Sequence, residues 1–84
     1  MILRKWNYEK HKYEPYKIPD KWNVKLYSED MEEIVNCPRC GKEVEYGATF
    51  TSKEIHNQIG IGFGVCYNCH QEEWKRKEDY ERRF

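Results

Sequence analysis

Apolar and polar residues alternate through three stretches of the chain. Trp22, Val24 and Leu26 alternate with Asn23, Lys25 and Tyr27, a period of two that predicts a strand. Val44, Tyr46, Ala48 and Phe50 form a second alternating set, and Ile55, Asn57, Ile59, Ile61, Phe63 and Val65 a third. With Thr51-Ser52-Lys53 as the turn, these two sets predict an antiparallel hairpin. Gly60, Gly62 and Gly64 fall on the other face of its second strand and leave that backbone bare. Such a row calls for a close approach by an internal aromatic, a partner chain or a ligand. A further short strand is expected over residues 32–36, after a Ser28-Glu29-Asp30 turn.

The two ends of the chain read differently. Residues 1–21 have no clean period: Trp6, Tyr8, Tyr13, Tyr16 and Ile18 lie among lysines, with Pro15 and Pro19 against any helix. They predict an extended aromatic and basic arm, ahead of one folded domain over residues 22–84. At the other end Asn68 is a good helix N-cap, with Gln71 three residues on. Glu72/Arg76, Glu73/Lys77, Glu78/Arg82 and Asp79/Arg83 are i,i+4 pairs in the favourable direction. Trp74, Tyr80 and Phe84 give only a ragged apolar stripe, so this helix is expected to be largely solvated.

Composition makes a metal the natural staple. The chain has 84 residues, 38% hydrophobic and 36% charged, so its core must be small. Chains of this size gain only about 3–5 kcal/mol from a core, whereas a structural zinc contributes about 10–16 kcal/mol. All four cysteines stand in two pairs, Cys37-Pro38-Arg39-Cys40 and Cys66-Tyr67-Asn68-Cys69, with 25 residues between them. Two CxxC pairs at this separation predict one structural Zn2+ held by Cys37, Cys40, Cys66 and Cys69. Gly41 permits the positive φ that closes a zinc knuckle over the first pair. Four thiolates close the coordination sphere, which predicts no metal catalysis. An iron centre of rubredoxin type would carry a glycine after the second pair, where His70 stands. The Cys66-Tyr67-Asn68-Cys69-His70 string also fits c-type haem attachment, but that reading needs export and leaves the first pair idle.

Knuckle, hairpin and a helix whose start supplies the last ligands: in this order residues 37 to 82 resemble a treble-clef zinc finger, with a zinc ribbon as the close competitor. The whole chain also resembles small zinc proteins encoded by phages. The fold class implied is a small zinc-stabilised α+β domain. Treble clefs serve nucleic-acid binding, protein docking and, in the His-Asn-His nucleases, phosphodiester cleavage, so the fold alone names no function. The nuclease pattern is poorly met, because His56 and Asn57 are adjacent and point to opposite faces of a strand.

Charge weighs on the choice of partner. Lys and Arg together number 15, as do Asp and Glu, so the formal net charge is zero. A nucleic-acid binder usually has a basic excess. The chain lacks a Ser/His/Asp set, a phosphate-binding glycine loop and an open metal site, and is expected not to be an enzyme. The first expectation is a non-catalytic module that docks on a protein, as adaptor or inhibitor, through Trp6, Tyr8, Tyr13 and Tyr16. The alternative is nucleic-acid binding through the basic arm, Arg39, Lys42, Lys75, Arg76 and Lys77. Both readings compete with plainer ones: the arm aromatics capping the core, and Arg39 and Lys42 offsetting a zinc tetrathiolate. Met1-Ile2-Leu3 is too short for a signal-peptide core, and no long apolar run follows. A cytoplasmic protein is expected (host cytoplasm if phage-encoded), without membrane or small-molecule partners, in a compartment where paired cysteines stay reduced.

Overall fold

A computed structural model describes residues 1–83. Phe84, read above as part of the helix stripe, lies outside the described residues. The elements run β1 (Ile2–Asn7), β2 (Lys12–Lys17), β3 (Ile34–Asn36), β4 (Glu43–Glu45), a single 3-10 turn (Tyr46–Ala48), β5 (Phe50–His56), β6 (Gly62–Val65) and α1 (Tyr67–Glu81). An antiparallel sheet has the order β2-β1-β5-β6, and β3 pairs with β4 in a separate two-stranded ribbon. The coarse expectation of a small α+β chain with a C-terminal helix therefore holds.

The amino-terminal stretch is more than an arm. Residues 2–17 form a β-hairpin whose first strand sits inside the sheet, with Arg4 opposite both Pro15 on β2 and His56 on β5. Pro15 does not prevent this, because β2 is an edge strand and needs donors on one side only. The turn is closed by Asn7, whose side-chain oxygen accepts the Lys10 N–H at 3.1 Å, and by His11 at φ 53°. Leu3 and Ile18 enter the same core as Val24, Cys37, Ile55, Phe63 and Val65.

Two other expectations shift. Residues 22–26 turn Val24 inward as the alternation requires, but they form no strand. Asparagine takes the place of a ladder: Asn36 N–H donates to Asn23 O, Asn23 N–H to Asn36 Oδ1 (both 2.7 Å), and Asn23 Nδ2 to Ile34 O at 2.8 Å. The hairpin turn also moves. Thr51-Ser52-Lys53 lies within β5, and the reversal falls at residues 57–61, where Gly60 has φ 90°. Asn and Gly supply turn conformations that Thr, Ser and Lys do not. As a result Ile59 and Ile61 face water instead of the core. The glycine row is met from within: a Cβ at Gly62 would strike Ser52 O, and one at Gly64 the Thr49 side chain.

Between Thr51 and His56 the register of β5 against β6 slips. A bulge of this kind strands backbone donors inside the protein, and each must find a partner. Ser52 Oγ accepts the N–H groups of Glu54 (3.1 Å) and Ile55 (2.9 Å). Glu73 of α1 completes the set, accepting Lys53 N–H at 2.7 Å and the Ser52 hydroxyl at 2.6 Å. This polar plug docks the helix on the sheet.

Candidate metal centre

Cys37 follows β3 and Cys40 precedes β4, so the first pair lies on the turn of the small ribbon. Cys37 N–H donates to Lys42 O (2.9 Å) and Gly41 N–H to Cys37 O (2.8 Å), which folds the chain back between the two sulfurs. Gly41 has φ 81°, and a Cβ there would lie 2.5 Å from the Trp22 ring. The position thus requires glycine twice over, for its φ and for the indole that seals the turn. Asn36 Nδ2 donates to Gly41 O at 3.0 Å, and the Tyr16 hydroxyl to Pro38 O at 3.1 Å.

The second pair comes from the helix. Cys66 is the N-cap of α1 and Cys69 lies in its first turn; the start is two residues earlier than the Asn68 cap expected from sequence. The four sulfurs lie within 4.8 Å of one another, and Cys40 and Cys66 Sγ are 3.7 Å apart. A tetrahedral site with bonds of about 2.3 Å sets its sulfurs about 3.8 Å apart, whereas a disulfide needs about 2.05 Å. All four cysteines are free thiols, with Cys37, Cys66 and Cys69 buried and Cys40 exposed. Cys66 N–H donates to Cys37 Sγ at 3.4 Å, the kind of bond that supports a thiolate ligand. The donor set, its spacing and its amide support fit a single structural zinc ion.

Electrostatics point the same way. Burial pushes the Cys69 thiol well above its ordinary value, and the facing Cys66 and Cys37 groups push it further. Burial raises Cys40 as well. At Cys66 burial also acts upward, but hydrogen bonds from the Cys69 amide and the neighbouring thiols outweigh it and lower the pKa. Crowded sulfurs resist ionising together, and a divalent cation removes that obstacle by replacing the protons.

A second cluster, of buried ions, lies beside the thiols. Arg39, inside the knuckle, pairs with Glu54 of β5, and its Nε lies 3.9 Å from Glu73. Arg76 of α1 grips the same Glu54 with two bonds, at 2.8 and 3.0 Å. Glu54 is 2% exposed and Glu73 0%. Knuckle, sheet and helix are thereby tied together by charge. The expected Glu73/Lys77 surface pair is absent for this reason; Lys77 instead meets Glu81 at 3.2 Å. The sequence reading missed Glu54 and Glu73, although Glu73 is four residues from Cys69 and must share its helix face.

The expected partner residues are dispersed. Arg39 and Arg76 are engaged with Glu54, while Lys42 and Lys75 are exposed. Trp6 packs edge-on to Tyr13 at 5.0 Å, Tyr8 lies against Tyr80 at 5.4 Å, and Tyr16 braces the knuckle. No helix of the described residues is long and apolar enough to cross a membrane. No protein-family model, curated protein or solved structure matches the chain.

Proposed function

We propose that the chain is a non-catalytic, zinc-stapled module of treble-clef type that docks on a protein partner as an adaptor or inhibitor. The order of parts supports the treble clef over the ribbon: a knuckle between β3 and β4, the β5–β6 hairpin, and a second pair carried on a helix rather than on another knuckle. Four sulfur ligands leave no coordination position for a reacting water.

The observation that carries the docking role is the loop at residues 57–61. Asn57 Oδ1 accepts the N–H groups of Ile59 (3.1 Å) and Ile61 (2.9 Å), and Asn57 N–H donates to Ile61 O at 2.9 Å. Arg4 braces Gln58 O from the neighbouring strand. This ordered loop holds Ile59 79% and Ile61 51% exposed. Covering an isoleucine contributes about 1.5–3 kcal/mol, and a loop already in place loses little entropy on binding. In a nuclease-treated lysate of the encoding organism, the Ile59→Ser/Ile61→Ser variant should lose a protein that the unaltered chain captures, while keeping its metal. Full retention of that protein by the variant would sink the proposal.

A further inference from the structure

A shallow cleft of about 410 Å³ is lined by Trp6, Tyr8, Tyr13, Lys53, His56 and Lys77. Among the described residues no carboxylate lines it, although the chain as a whole is neutral. Tyr13 stands edge-on to His56 at 5.5 Å, and the buried His56 Nδ1 has no hydrogen-bond partner among the described residues. The two lysines lead out of the cleft to Trp74, their Nζ atoms 4.1 and 5.2 Å from its ring centroid. Beyond Trp74 the rings continue. His70 meets it edge-on at 6.3 Å and stacks on Phe50 at 4.9 Å, and Phe50 lies 5.8 Å from Tyr67. Phe50, Tyr67 and Trp74 are all exposed.

From this row of rings interleaved with lysines, we infer that the surface binds single-stranded nucleic acid, with bases against the aromatics and phosphates at Lys53 and Lys77. Successive flat rings within reach of cations suit a strand that offers a base and a phosphate at every step. An acidic or phosphorylated peptide would instead call for guanidinium forks. Among the described residues no arginine lines the cleft: Arg39 and Arg76 are held by the buried Glu54, Arg4 lies on Gln58 O and the Tyr13 face, and Arg82 and Arg83 pair with carboxylates elsewhere on the surface. Lys53 has no carboxylate within ion-pair distance among the described residues, and the exposed Lys77–Glu81 pair is weak enough to yield to a phosphate. A duplex keeps its bases stacked inside and offers these rings no face.

The test is fluorescence anisotropy of the zinc-loaded full chain with a labelled oligothymidine of about 12 nucleotides, titrated at several salt concentrations. Binding is expected at low salt. Lys53→Gln/Lys77→Gln should weaken it more than about tenfold and flatten the log–log salt slope by about 1.4. Lys53→Arg/Lys77→Arg should restore it. Trp74→Ala, at an exposed ring, should weaken it about tenfold or more. Lys25→Gln/Arg82→Gln, at bases outside the surface, should leave affinity within about twofold. Each variant is checked for one bound zinc, so a lost fold is not read as a lost contact. Absence of binding at low salt overturns the inference. So does equal weakening by the Lys25/Arg82 variant, or competition by polyglutamate or duplex DNA as effective as by the single strand. The Ile59→Ser/Ile61→Ser variant should bind the oligonucleotide as the unaltered chain does, so this surface and the docking loop fail independently.

Discussion

Glu73 places its carboxyl group in a site that water does not reach, yet its position is accounted for bond by bond. Where the register of β5 slips, the amides of Lys53, Glu54 and Ile55 donate to side chains, and Ser52 with Glu73 accepts from all three. Removing a partner from buried donors costs about 1–3 kcal/mol, more when a charged acceptor is lost. Glu73→Ala should therefore lower stability by about 2–4 kcal/mol, read by chemical denaturation of the zinc-loaded protein. Glu81→Ala, at an exposed ion pair, should change it by less than about 1 kcal/mol. Equal effects would mean that Glu73 is not the plug described. At this scale the gathering of the four cysteines was legible in the sequence, because thiol chemistry at fixed spacing has few other uses. The buried acids were not: Glu54 and Glu73 look like any solvated Glu on an alternating strand or a charged helix. Their burial depends on a bulge that involves several residues at once.

Among the elements, the first hairpin differs most from expectation. Its lysines and Pro15 mask a strand pattern in which Leu3 is the only fully buried member of β1 and β2. The hairpin is nonetheless integral, since β1 lies between β2 and β5 and Leu3 and Ile18 belong to the common core. A chain beginning at residue 19 should lose cooperative unfolding and expose Ile55, even with zinc present. Circular dichroism melting and dye binding would check this; a sharp melt in the truncated chain would return residues 1–18 to the status of an appendage. The C-terminal helix was visible in its charge pairs, but its start was set by the cysteines, with Cys66 rather than Asn68 at the cap. The turn of the main hairpin was misplaced because Asn57 and Gly60 were read as part of an alternating strand. Local turn chemistry prevailed over periodicity there.

For the molecule as a whole, two fastenings converge on the knuckle: four sulfurs on one side and the Arg39–Glu54–Arg76 ion cluster on the other. The core is a small set of side chains that includes three of the cysteines themselves. Metal binding and folding should consequently be one event. Native mass spectrometry should find one zinc per chain, and a strong chelator should abolish the near-ultraviolet tryptophan signal, which re-added zinc restores. A chelated protein that keeps the signal would show that the ions and the core suffice alone. Overall class and the four-cysteine cluster were readable from spacing and composition. The use of the surface was not, because a formal net charge of zero says nothing of where the individual bases and acids lie.

The order of strands has a consequence for synthesis. β1 leaves the ribosome with only β2 beside it, and its other edge meets β5 only after some fifty further residues have been made, Arg4 pairing with His56. Throughout that interval the nascent chain presents an open strand edge and an unsheltered Leu3. Chaperones and proteases would therefore meet this protein chiefly as an incomplete sheet, until the last cysteine emerges and the four-sulfur cluster can form.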